Sequence, residues 1–119
     1  MSVADPVERL LPLQPAAFHI LLALSGEDRH GYAIIQEVAA RTGGEVRLSA
    51  GTLYRSIQRL LEQGLISEPR HRPAPAQDDP RRRYYRITPL GTAAARAETR
   101  RLEQLVKLAR AHGLRPASA

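Results

Sequence analysis

The sequence has no cysteine and no tryptophan, one phenylalanine, and a single lysine beside 17 arginines. Without cysteine there is no disulfide framework and no thiolate metal site. No run approaches the roughly 18 consecutive apolar residues of a membrane span, and the first residues lack the pattern of a secretion signal. The cytoplasm is the simplest expected location. Chemistry-bearing motifs are missing as well: there is no glycine-rich phosphate loop, no G-x-S-x-G elbow and no histidine pair at zinc spacing. His19, His30, His71 and His112 fall on separate segments. Asp78 and Asp79 are adjacent, but a proline loop cannot hold two carboxylates in a fixed acid–base geometry. These absences argue against an enzyme, and neither cofactor nor metal is expected.

What is present describes a small globular chain of 119 residues, 43% hydrophobic and 25% charged. Its net charge of +6 favours a polyanionic partner, either nucleic acid or an anionic membrane surface. No helix joins a basic face to a bulky aromatic one, so no membrane partner is expected. Arginine offers a planar fork for phosphates and guanine edges, although a GC-rich genome enriches it too.

Residues 1–14 read as an arm, because Pro6, Pro12 and Pro15 forbid a long helix; it should pack on a partner or on the last helix. Pro15 to Leu24 is apolar nearly all round, a buried helix with His19 as a packed residue. Gly26 to Arg29 is a tight linker. The next helix carries Ile34, Ile35, Val38 and Ala39 and stops at Gly43-Gly44. Tyr32 near its start either touches a phosphate or, the preferred reading, plugs the join between helices. Glu45 to Leu48 is too short to stand alone as a strand, but long enough to pair with a later hairpin.

The third helix is the most informative stretch. Leu53, Ile57, Leu60 and Leu61 fall on one face, and Thr52, Arg55, Gln58, Arg59 and Glu62 on the other. Ser49 is its N-cap and Gly64 its stop. Leu65–His71 and Arg82–Ile87 then form the strands of a hairpin around a proline-rich polar loop. Six arginines against three acids make that region basic. Thr88-Pro89 opens a last helix closed by Gly113. Its stripe comprises Leu90, Ala94, Ala97, Leu102, Leu105, Val106, Leu108 and Ala109, interrupted by Arg101. That is more apolar surface than three short helices can cover. It points to a homodimer, the alternative being a helix folded back on its own domain.

The expected fold is mainly α with a small β-hairpin: a winged helix-turn-helix with a long C-terminal dimerisation helix. It divides into an arm (1–14), a winged-helix DNA-binding domain (15–88, recognition helix 50–63, wing 65–87), a dimerisation helix (89–113) and a tail (114–119).

HGYAI at His30 to Ile34, GTLYRSIQRLLEQGLI at Gly51 to Ile66 and RRRYYRITPLG at Arg81 to Gly91 resemble the PadR family of bacterial transcriptional regulators. The likeness covers roughly residues 16–95, with three motifs in the right order, and fits the family's short members. It implies a dimeric repressor bound to double-stranded DNA at a pseudo-palindromic operator, at its own or a neighbouring promoter. Relief by a small-molecule effector of unread identity belongs to that expectation. Carried over by position, the DNA contacts would be Ser49, Thr52, Tyr54 and Arg55, then Gln58 and Arg59 along the same face, with Arg81, Arg82 and Arg83 from the wing. Two departures stand out: the wing is longer and richer in proline than usual, and the tryptophan with which some short members hold flat aromatic drugs is absent. The competing expectation is a winged helix that serves as a protein-interaction module without specific DNA binding.

Overall fold

Pro15 occupies the first position of α1 (Pro15–Leu24), where its missing N–H has no helical partner to lose and its φ is already helical. The computed structural model describes residues 5–70 and 82–117. Ile20, Leu21, Ala23 and Leu24 of α1 are buried, so this helix is the post against which the others stand. α2 (Gly31–Arg41) adds Ile34 and Val38, and α3 (Ala50–Glu62) adds Leu53, Ile57 and Leu60. The spacing of those last three confines them to one face and leaves Tyr54, Arg55, Gln58 and Arg59 in solvent.

An antiparallel three-stranded sheet closes the core in the order β1–β3–β2. β1 is Arg29–His30, β2 Ile66–Ser67 and β3 Tyr84–Ile87. Arg29 lies opposite Tyr85, and Ile66 opposite Ile87. Tyr85 and Ile66 are buried. Three helices, a hairpin and a long following helix make a winged helix-turn-helix.

Two local expectations fail. Glu45–Leu48 does not join the sheet; the Thr42 hydroxyl accepts the Val46 N–H at 3.0 Å, and Val46 and Leu48 pack on the core. The third strand comes instead from the end of the supposed linker. There the Arg29 Nε donates to the Ala23 carbonyl at 2.8 Å, and Nη2 sits 3.1 Å from Glu27 and 3.4 Å from Glu37, holding the chain extended beside β3. The wing strands are shorter than the runs that suggested them, and the loop at 71–81, with Arg81, lies outside the described residues.

α4 (Pro89–Ala111) begins at a tightly made joint. The Thr88 hydroxyl accepts the Gly91 N–H at 3.0 Å and donates to the Gly64 carbonyl at 2.7 Å. The Thr88 N–H donates to the Leu65 carbonyl at 3.1 Å. A Cβ on Gly91 would land on that same carbonyl oxygen, so only glycine lets the helix come this close. The first half of α4 lies on the domain, where Gly91, Ala94 and Glu98 are buried. Ala94 must therefore be struck from the dimer stripe, because it is wholly enclosed by the chain's own core. Beyond that point the helix leaves the domain: Leu102, Leu105, Val106 and Leu108 are 36–56% exposed. Ala97 and Ala109 are half-buried, and Leu90 is exposed at the other end.

The arm, with a 3-10 turn at Glu8–Leu10, is held to α4 by Glu98. This carboxylate is 3% exposed; it accepts the Leu13 N–H at 3.4 Å and two hydrogen bonds of 2.7 Å from Arg101. Arg101 breaks the apolar stripe because it serves Glu98. Its guanidinium holds the Glu98 carboxyl below the usual carboxylate range, against the opposing effect of burial, with help from the Leu13 N–H. Among the described residues no helix is long and apolar enough to cross a membrane.

Candidate nucleic-acid interface

The start of α3 is organised by two hydroxyls. Ser49 Oγ accepts the Thr52 N–H and donates to Thr52 Oγ1, both at 3.1 Å, and Thr52 Oγ1 accepts from Arg55 Nη2 at 3.4 Å. Ser49 and Thr52 thus cap the helix and steady Arg55, whose other donors face solvent. The Gln58 amide donates to Glu62 at 3.2 Å. Arg55 and Arg59 meet no carboxylate among the described residues. The exposed surface of α3 has two flanks: Tyr54 lies toward the wing, with Gln58 one turn on, while Thr52, Arg55 and Arg59 lie toward the arm.

On the wing flank, Tyr54 leans over the start of α2. A Cβ on Gly31 would come within 2.7 Å of the Tyr54 hydroxyl oxygen and 3.3 Å of Leu53 Cδ2. The glycine of the first motif therefore makes room for the tyrosine of the second. Tyr32 does not plug the helix join; its ring is 60% exposed, and buried Gly31 occupies that place. Together with His30, Arg82 and Arg83, the two tyrosines border an open cleft of about 330 Å³ at the N-terminal end of α2. Tyr85 lies at its floor, and burial pushes the Tyr85 phenol up.

His30 is the residue of this cleft that the sequence reading overlooked, although the histidine-glycine-tyrosine motif marked the place. Its Nδ1 accepts the Ala33 N–H at 3.2 Å and so caps α2, while the ring meets Tyr84 edge-on at 5.5 Å. A neutral imidazole has one acceptor nitrogen, so Nε2 carries the proton. Arg82 Nη1 approaches Nε2 at 3.3 Å, which ties the wing to the start of α2. Arg83 lies 4.0 Å from Glu68 in an exposed, weak pair. Helix N–H groups, tyrosine hydroxyls and guanidinium groups at one concave place form a set suited to a phosphate oxygen.

The family profile described as Transcriptional regulator PadR-like family matches residues 20–97. The chain is 40% identical over 90 residues to Transcriptional regulator Rv3488 of Mycobacterium tuberculosis, covering 75% of this chain and 77% of that one. It is 38% identical over 74 residues to an uncharacterized protein X of Lysinibacillus sphaericus, spanning 62% of its own length and 65% of the relative, just under two thirds. A PadR family transcription regulator from Clostridium difficile R20291 shares the fold with a TM-score of 0.69 at 22% identity, over 83% of this chain and 98% of the other. Bacillus subtilis PadR in complex with operator DNA gives 0.58 at 19% identity, over 72% of this chain and 47% of that protein.

Proposed function

Since the chain belongs to the PadR-like family of transcriptional regulators, we propose that it is a homodimeric, sequence-specific DNA-binding repressor. Its operator is a pseudo-palindrome at its own or a neighbouring promoter, and a small-molecule effector relieves repression. The observation that carries this reading is the exposed surface of α3, which offers Arg55, Gln58 and Arg59 between a phosphate-suited cleft and the arm.

In this reading α3 enters the major groove, where arginine pairs with guanine and glutamine with adenine in bidentate fashion. Tyr32, Tyr54, His30, Arg82 and Arg83 hold the backbone, adding affinity and salt dependence but little sequence reading. The distal half of α4 pairs with its copy through Leu102, Leu105, Val106, Leu108 and Ala109. That pairing sets the two α3 helices about 34 Å apart, one turn of DNA.

Fluorescence anisotropy with the fragment upstream of the gene, against scrambled DNA across a salt series, tests the reading. A preference of at least about a thousandfold with a steep salt slope is expected. Equal, weak binding to both fragments overturns it, and a stable complex with another protein would then favour the interaction-module reading.

A further inference from the structure

The arm-side flank of α3 borders a second cleft, of about 610 Å³, that the phosphate-contacting set does not use. Its volume is within the range of about 300–1,000 Å³ typical of small-molecule sites. One wall is the arm and the start of α1, with Leu10, Leu11 and Ala17 packed against the core behind it. The opposite wall is α3, with Arg55 and Arg59, and Arg9 stands on the arm. No aspartate or glutamate lines the cleft, and none of the three arginines has a carboxylate partner among the described residues. The apolar lining is leucine, proline and alanine, with no ring for an aromatic body to stack on.

From this juxtaposition of an aliphatic wall and three uncompensated guanidinium groups, we infer that the cleft binds a small aliphatic anion, an acyl carboxylate or an alkyl phosphate. The acid group sits among Arg9, Arg55 and Arg59, and the chain lies along the leucines. A sugar–phosphate strand fits less well, because it would set charged oxygens against that apolar wall. Two of the three arginines belong to the face of α3 assigned above to base reading. The anion and DNA therefore compete for the same side chains, and release from the operator needs no rearrangement of the dimer. The competition rests on the DNA-binding reading; the binding itself does not.

Decanoate, kept below its micelle concentration, is the probe, with decyl phosphate to separate the two headgroups and decylamine as the cationic control. In ¹⁵N–¹H spectra of the full chain without DNA, decanoate should shift amides of residues 9–17 and 52–63, and decylamine should not. Arg9→Ala should weaken decanoate binding about tenfold while leaving promoter affinity in its absence unchanged. Decanoate at nine times its dissociation constant should raise the apparent dissociation constant for the promoter about tenfold. Shifts confined to residues 102–114, or equal shifts with decylamine, overturn the inference. So does a loss of promoter affinity in Arg9→Ala with no decanoate shift, which would give the cleft to a DNA strand. If decanoate maps to the cleft but promoter selectivity is absent, the binding inference stands and the DNA reading falls. If selectivity holds and the shifts fail, the reverse applies.

Discussion

Arg86 stands three residues from Arg83 and would be counted with it in any tally of wing charge. Its guanidinium is nevertheless closed onto Asp28 through contacts of 2.8, 3.0 and 3.2 Å. Arg29, Arg41 and Arg101 are likewise held, by carboxylates and by carbonyl oxygens of α1. Among the described residues, Arg55 and Arg59 meet no carboxylate. Composition shows 17 arginines and cannot sort them, because Asp28 lies 58 residues from Arg86 and only the sheet brings them together. The α3 arginines were legible from periodicity alone, since the opposite face was filled by leucine and isoleucine. Arg55→Ala should cost about 1–3 kcal/mol at a cognate site and relax specificity at one base position. Titration against cognate and unrelated duplexes checks this, and an equal loss on both would make Arg55 a phosphate contact.

At the scale of elements, the joint between α3 and α4 was visible as a motif but not as a mechanism. Threonine-proline announces a helix start, yet nothing in the letters says that Gly91 lies against the Leu65 carbonyl. Gly91→Ala should destabilise the domain by about 3 kcal/mol or more, because the clashing atom is backbone and cannot rotate away. Urea unfolding with an unchanged slope would measure it. β1 escaped notice for a related reason: two residues carry no periodicity, and their strand character comes from Tyr84 and Tyr85 opposite them. The arm was expected to pack on a partner or the last helix, but the buried Glu98 that fastens it was hidden, because a lone acid in a helix reads as surface. The Glu98 carboxyl is held below its ordinary range, so its contribution is present above the unfolded value and fades as pH falls below about 4. Thermal midpoints of the parent and Glu98→Gln, well separated at pH 7, should converge as pH drops through that window.

For the whole molecule, the extents of 54 × 46 × 24 Å describe a flat body with one helix running off it. Surplus apolar surface on α4 was legible from the length of its stripe, but which residues were surplus was not. Packing decides that, and it claims Ala94 while leaving Leu105 and Val106 in water. On the proposed dimer, Leu105→Glu should yield a folded monomer with greatly weakened operator binding, because its carboxylate would be buried in the seam without a partner. Sedimentation beside circular dichroism separates that outcome from simple unfolding.

The point at which α4 departs from the domain also bears on descent. From Leu102 to Leu108 the side chains are exposed, in contrast to the buried positions near the start of the helix. On the proposed dimer, substitutions there act on the choice of mate and leave folding and operator choice alone. Duplicated copies of such a gene could cease to cross-pair through changes in those few residues while still recognising the same DNA.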